Sequence, residues 1–339
     1  MPTTTRPPLF FTDLGAGEPV LLITGWTISS AVFDPVAEHY LPHVRVVAYD
    51  HRGTGRSGAW LAPVSMAMLA ADAARVLDDR GIPAAHVVGL SMGALVALEL
   101  AARMPARVKS LVLVGGGVGG PATVTPGPAA AAGLLRSLVE DSLRERRPWP
   151  AAALFSERFR REHPDRVAEL VAPFGRHRAP PWAAGWQTLA AACFSRGGSL
   201  ARIRAPTLVV HGDEDVMAPP ENARRLATGI PGAELHIEPG AGHAVPLERP
   251  EECARLLLDW VARHADAAPP RRPAVDRVAE RVTRPFSLPA GALRNGRAAL
   301  TTLSASLGRA TGGARGRGEP PARAPRAAAE AAHRRARSA

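Results

Sequence analysis

Three side chains in this sequence have the types and the settings for nucleophilic catalysis. Ser91 stands in Gly89-Leu90-Ser91-Met92-Gly93, between an apolar β-type run and a helical one. A serine hydroxyl is a weak nucleophile until a neighbouring imidazole takes its proton. His243 lies in Gly240-Ala241-Gly242-His243-Ala244-Val245-Pro246, just after a strand-like run, where two glycines let the ring turn over a sheet edge. The imidazole in turn needs a carboxylate to fix its tautomer and stabilise its cation. Asp215 follows another strand-like run and precedes His243 by 28 residues. The chain order is therefore serine, aspartate, histidine. Asp213 and Glu214 compete with Asp215 and are read as shaping the turn. The position after the run ending at Val114 offers Gly115–Gly117 and no carboxylate. Of the 11 histidines only His243 has this setting; His39, His86, His163, His177 and His264 are expected to be solvated or capping.

The spacing around Ser91 has a steric reason. The nucleophile must stand on a tight turn, and a glycine two residues before and after lets strand and helix approach without a Cβ clash. The helix starting at Met92 then points its positive end at developing negative charge. A tetrahedral intermediate needs two backbone N–H donors. Met92, next after the nucleophile, is one candidate. Trp26, in the Thr24-Gly25-Trp26 turn, is the other. Its indole either floors an acyl pocket or packs over the sheet.

These residues need a frame. β-rich apolar runs recur at Val20–Ile23, Val44–Tyr49, His86–Leu90, Leu111–Val114, Thr207–Val210 and Leu235–Ile237, as in strands buried on both faces of a parallel sheet. Leu9–Leu14 reads as an antiparallel edge strand. Helical stretches lie between them at Ala31–Tyr40, Ser65–Arg80, Met92–Met104, Glu221–Thr228 and Glu251–Arg263. The alternation predicts an α/β fold with a mostly parallel, doubly wound sheet. Residues 118–200 break it with helical runs around Ala130–Asp141, Trp149–Arg161, Asp165–Phe174 and Pro181–Phe194. The expected organisation is a core of residues 1–117 and 201–266, a helical cap insertion at 118–200, and a tail at 267–339.

Four segments in order, Leu22-Ile-Thr-Gly-Trp26, Asp50-His-Arg-Gly-Thr-Gly-Arg-Ser57, the Ser91 pentapeptide, and the paired Asp215 and His243 loops, carry a family resemblance over residues 9–264. The chain resembles the α/β-hydrolase superfamily, in the branch of esterases, 3-oxoadipate enol-lactonase-like enzymes and related cofactor-free hydrolases. The resemblance implies a core with a helical cap, oxyanion donors at Trp26 and Met92, and cleavage of a carboxylic ester or lactone through an acyl-enzyme. Thr24 departs from the pattern, which commonly has histidine there. Epoxide hydrolases and dehalogenases carry aspartate as nucleophile, and Ser91 argues against both. Perhydrolysis or C–C bond hydrolysis on the same triad stays open. So does a non-catalytic ligand receptor, although its usual signature is a damaged triad and all three positions here are intact. Arg52 and Arg56 suggest an anion site; structural pairing is the expectation.

Apolar residues make up 46% of the 339, enough for a sizeable core. Residues 267–339 hold 15 arginines and 4 acidic residues, the whole +11 excess of the chain, so the rest is formally neutral. That Pro-, Ala- and Arg-rich tail reads as disordered, with a weak basic helix at Ala292–Leu307. It could touch polyanions or membrane surfaces weakly, but no specific nucleic-acid module is present. No metal-ligand spacing appears and no cofactor is expected. Cys193 and Cys253 are expected to be buried free thiols. The N-terminus shows no signal-peptide pattern, no run approaches the ~18 apolar residues of a membrane span, and a cytoplasmic location is expected.

Overall fold

The β-branched runs pair into a single seven-stranded sheet in a computed structural model, which describes residues 7–127, 151–175 and 177–270. The strands are β1 (Phe11–Leu14), β2 (Pro19–Ile23), β3 (Arg45–Tyr49), β4 (Ala85–Leu90), β5 (Val108–Val114), β6 (Thr207–Gly212) and β7 (Glu234–Glu238). Their spatial order is β1-β3-β2-β4-β5-β6-β7. β1 runs antiparallel to β3, with Phe11 opposite Tyr49. All other pairings are parallel. Each strand-like run of the sequence is a strand, and the expected edge strand is β1.

Alternate residues of the central strands face opposite layers. Leu21, Ile23, Val87, Leu111, Leu113 and Val209 pack into one buried cluster. Val20, Leu22, Val88, Val112, Leu208 and Val210 pack into the other. Helices α1 (Met66–Asp79) and α2 (Met92–Arg103) cover the first face. Ser65 caps α1 by accepting the N–H of Met68 at 3.2 Å. Between β5 and β6 an insert contributes, among the described residues, α3 (Ala151–Leu154), α4 (Glu157–Glu162), α5 (Pro164–Gly175) and α6 (Pro181–Cys193). The remaining helices are α7 (Glu221–Gly229), α8 (Val245–Glu248) and α9 (Pro250–Arg263).

Two helical expectations change form. Residues Ser30–His39 make a 3-10 helix, not an α-helix. Pro35 within it has no N–H and cannot join an α-helical ladder. The run Trp149–Arg161 is broken at Ser156, whose side chain caps α4 through the N–H of Phe159. The expected helices at Ala130–Asp141 and Ala292–Leu307 lie outside the described residues. Among the described residues no helix is long and apolar enough to cross a membrane.

Charged side chains behave mostly as structure. Arg52 makes a two-pronged pair with Asp72, at 2.5 and 2.7 Å, with both side chains buried. Arg56 pairs with Asp50 at 3.0 Å. Structural pairing of both arginines is thus as expected. His86 is not solvated: it is fully buried on β4, with Nδ1 2.7 Å from the Ser110 hydroxyl. Both cysteines are free, but Cys193 is exposed and only Cys253 is buried.

Asp13 on β1 gives a prediction about stability. Arg45 bonds it at 2.9 and 2.7 Å and Arg80 at 2.6 Å. The Arg45 guanidinium above all, with Arg80, brings its pKa from 3.8 down to about 2 against the upward push of burial. A carboxylate depressed by folding adds stability above its unfolded pKa and loses it as pH falls through the folded one. The melting temperature of wild type should exceed that of Asp13→Asn at neutral pH. Thermal melts should show the gap narrowing as pH falls from 3.8 to about 2. A gap independent of pH would contradict this assignment.

Candidate active site

The parallel strands β2, β4, β5, β6 and β7 end at one edge of the sheet, and the chain changes direction across the sheet between β2 and β4. Such a switch point forms a crevice outside the strand ends. Thr24–Trp26 follow β2, Ser91 follows β4, Gly115 follows β5, Asp215 follows β6, and His243 follows β7.

The turn at Ser91 has the strain its sequence implies. Ser91 has φ 57° and ψ −118°, a left-handed backbone that costs a non-glycine residue roughly 1–3 kcal/mol. Its N–H donates to the Val114 carbonyl at 2.8 Å, and its carbonyl accepts from Ala94 at 2.9 Å. A Cβ on Gly89 would lie 2.4 Å from the Gly93 carbonyl oxygen, and one on Gly93 would lie 2.2 Å from that of Ile23. Both glycines are therefore demanded by close approach of strand, helix and neighbouring strand end.

Asp215 is buried behind the imidazole. Its Oδ2 lies 2.7 Å from His243 Nδ1, and its Oδ1 accepts the N–H groups of Met217 and Ala218, each at 2.8 Å. His211 adds a partner that the sequence reading missed: its Nε2 is 3.0 Å from Asp215 Oδ2 and 2.7 Å from the Ala218 carbonyl. Burial alone would raise the Asp215 pKa. The nearby His243 and His211 and their hydrogen bonds outweigh it and hold the carboxyl well below the usual carboxylate range. With an ionised carboxylate at Nδ1, the proton of neutral His243 sits on Nδ1 and Nε2 carries the lone pair. His243 is 4% exposed, and its Nε2 is buried with no hydrogen-bond partner among the described residues. A Cβ on Gly115 would lie 3.2 Å from the His243 ring, so the residue after β5 is bare where the imidazole leans over it. Asp213 is exposed and accepts the Gly240 N–H at 2.7 Å, which ties the two loops together.

The turn after β2 abuts Ser91: a Cβ on Gly25 would be 3.3 Å from the Ser91 Cβ. Met92 is buried at the first position of α2. Thr24 is fully buried, and its carbonyl is 3.1 Å from His51 Nε2. Burial pushes the His51 pKa down, so the ring is neutral and donates from Nε2. His51, just after β3, thus holds the turn through the Thr24 carbonyl. Trp26 lines the cleft and also packs against the buried clusters of both sheet faces, so both readings apply, and its indole donates to the Ala184 carbonyl at 3.1 Å.

Ser91 and His243 border one cleft that opens to solvent. Its other described walls include Trp26, Ile28, Leu90, Leu154, Phe174 and Met217. No lysine, arginine or carboxylate is among the described lining residues. Leu154 and Phe174 come from the insert, so some of its apolar side chains face the cleft as well as the core. No described cluster of histidine, cysteine or carboxylate side chains could hold a metal ion.

The comparisons with known proteins agree with this frame. The α/β hydrolase fold family model matches residues 18–250. RutD of Azorhizobium caulinodans, a carbamate hydrolase by name, is 33% identical over 262 residues, covering 74% of this chain and 94% of that one. A 2-hydroxy-6-oxononadienedioate/2-hydroxy-6-oxononatrienedioate hydrolase of Pseudomonas putida is 33% identical over 75% of this chain and 91% of its own. A thermophilic esterase from Thermogutta terrifontis superimposes with a TM-score of 0.65 at 27% identity, covering 77% of this chain and 96% of that one. The chain belongs to the α/β-hydrolase fold family. It is a hydrolase.

Proposed function

We propose that the protein is a serine hydrolase that cleaves a carboxylic ester or lactone through an acyl-enzyme. The observation that carries this reading is the buried Asp215–His243 pair, whose free Nε2 borders the same cleft as Ser91. In the first half-reaction Nε2 takes the Ser91 proton while Oγ attacks the substrate carbonyl carbon. The N–H groups of Trp26 and Met92 receive the resulting oxyanion. The imidazolium then gives its proton to the leaving oxygen, and the C–O bond breaks. In the second half a water loses its proton to Nε2 and attacks the acyl carbon, and Ser91 leaves reprotonated. Asp215 stays ionised throughout and stabilises the imidazolium.

The walls argue for an uncharged acyl group. A carboxylate placed among Leu90, Leu154 and Phe174 would lose its hydration without a described cation to replace it. The Pseudomonas putida relative is named for a dioate substrate. That makes C–C bond hydrolysis of a dianion the competing reading. The test is a panel: p-nitrophenyl butyrate, p-nitrophenyl hydrogen succinate, a butyrolactone, an N-alkyl carbamate and a 2-hydroxy-6-oxodienoate. Butyrate should be turned over with kcat/KM at least ~10-fold above succinate, a barrier difference of about 1.4 kcal/mol. Cleavage of the dienoate alone, with no ester or lactone turnover, would sink the proposal.

A further inference from the structure

The insert does more than roof the cleft, because two of its segments hydrogen-bond to the catalytic loops through buried side chains. Gln187 on α6 is 1% exposed. Its Oε1 accepts the Thr27 N–H at 2.8 Å, and its Nε2 donates to the Thr54 hydroxyl at 2.8 Å. Thr27 has φ 63°, a left-handed backbone that a threonine holds only under restraint. Its carbonyl accepts from Ala179 at 3.0 Å. The Trp26 N–H therefore lies between two fixed points. His51 holds the Thr24 carbonyl on one side, and Gln187 holds the Thr27 N–H on the other.

A matching arrangement surrounds the base. Glu248 on α8 is 3% exposed. Its Oε2 accepts the N–H groups of Gly242 at 3.0 Å and Ser156 at 3.1 Å, while its Oε1 accepts the Ser156 hydroxyl. Gly242 directly precedes His243. On the other side of His243, the Ala244 N–H donates to the Leu154 carbonyl at 2.8 Å. A Cβ on Gly242 would lie 2.7 Å from the backbone of Phe155 and Ser156. His243 is thus bracketed on one side by the direct Ala244–Leu154 bond and on the other by Glu248, which joins Gly242 to Ser156 ahead of α4.

We propose that Gln187 and Glu248 are positioning residues through which the insert sets the oxyanion loop and the histidine loop together. The seating of the insert and the alignment of the catalytic groups then form one equilibrium. Neither residue lines the cleft, so each acts through another group. This rests on the serine-hydrolase reading above. A buried side chain with both polar ends satisfied fixes its neighbours, whereas an apolar substitute leaves the Thr27 or Gly242 N–H without a partner.

Three readouts separate positioning from plain stability. Gln187→Leu and Glu248→Ala should each lower kcat by roughly 10–100-fold with KM within about threefold, since small misplacements of reacting groups have effects of that size. For Gln187→Leu, affinity for a trifluoromethyl ketone, a tetrahedral mimic, should fall by the same factor as kcat. Gln187→Glu can accept from both Thr27 and Thr54, and Glu248→Gln keeps an acceptor for the two N–H groups; both should recover to within about fivefold of wild type. Leu189→Ala, on the exposed side of α6, should leave kcat unchanged. Where an apolar variant does not fold, hydrogen exchange on the wild-type protein decides. The amides of Thr27 and Gly242 should exchange with those of the α4 and α6 helices, as one opening unit. Exchange as slow as that of the β4 amides, or a Gln187→Leu variant with kcat and ketone affinity near wild type, would overturn the proposal. The exchange measurement needs no catalysis. If Ser91 proves not to be the nucleophile, the function reading fails while this coupling is still measured.

Discussion

Ser91→Ala should lower kcat by roughly 10⁴–10⁶-fold and abolish labelling by a fluorophosphonate. The lost oxygen is the atom that the geometry of three loops serves. The turn strains Ser91 into φ 57°, and the two flanking glycines admit that strain. His243 lies on the same cleft with a nitrogen that nothing described occupies. Alanine tolerates this backbone no worse than serine, so the variant should melt within a few degrees of wild type. Intact-mass spectrometry gives the decisive reading. One phosphonyl adduct on wild type and none on Ser91→Ala is expected. An adduct that persists in the variant, or unchanged turnover, would move the nucleophile elsewhere.

Asp215→Asn should lower kcat by roughly 10²–10⁴-fold with little change in fold. In the proposed mechanism the carboxylate does two things for His243. It keeps the proton on Nδ1, leaving Nε2 to act as base, and it stabilises the imidazolium formed during attack. An amide nitrogen facing Nδ1 would donate to it and move the ring proton to Nε2, where it blocks the reaction. Burial works against the charge, yet His243 and His211 hold Asp215 ionised far below neutral pH. Loss of activity on acidification near neutrality therefore does not come from Asp215. Because folding lowers its pKa, Asp215 adds stability above the ordinary carboxylate range and loses it only in stronger acid. Asp213→Asn should cost far less, since Asp213 is exposed and binds only the Gly240 N–H by its side chain among the described contacts. Steady-state kinetics on both variants test this, and reversed effects would transfer the role to Asp213.

Sequence reading reached whatever depended on neighbours along the chain. The β-branched runs located the strands, because burial on both faces leaves a continuous apolar signature. Ser91 is marked by the glycines two residues before and after it, His243 by Gly240 and Gly242 just before it, and both line one cleft with Trp26. It missed what depends on distant partners. Gln187 and Thr27 are 160 residues apart, and Ser156 and Glu248 are 92 apart. A lone glutamine in an apolar helix and a glutamate after a histidine loop carry no local mark of their role. His211 and His51 carry no local mark of their partners, and only the fold brings one to Asp215 and the other to the Thr24 carbonyl. His86 was misread as solvated because its burial follows from strand packing on both sides. Pro35 could have signalled the 3-10 turn, since it denies the α-helical ladder a donor.

The bare backbone at Gly115 bears on how substitutions in this chain are to be read. Strand β5 lies between the strand that ends at Ser91 and the strand that leads to Asp215, so His243 must lean across its end. Gly115 has no side chain to move a proton, yet a single methyl group there would press on the imidazole. A mutational tolerance map would rank Gly115 beside Ser91 and His243. Intolerance at this position measures clearance together with the left-handed backbone of Gly115 (φ 58°), and counting intolerant positions would overstate how many residues take part in the chemistry.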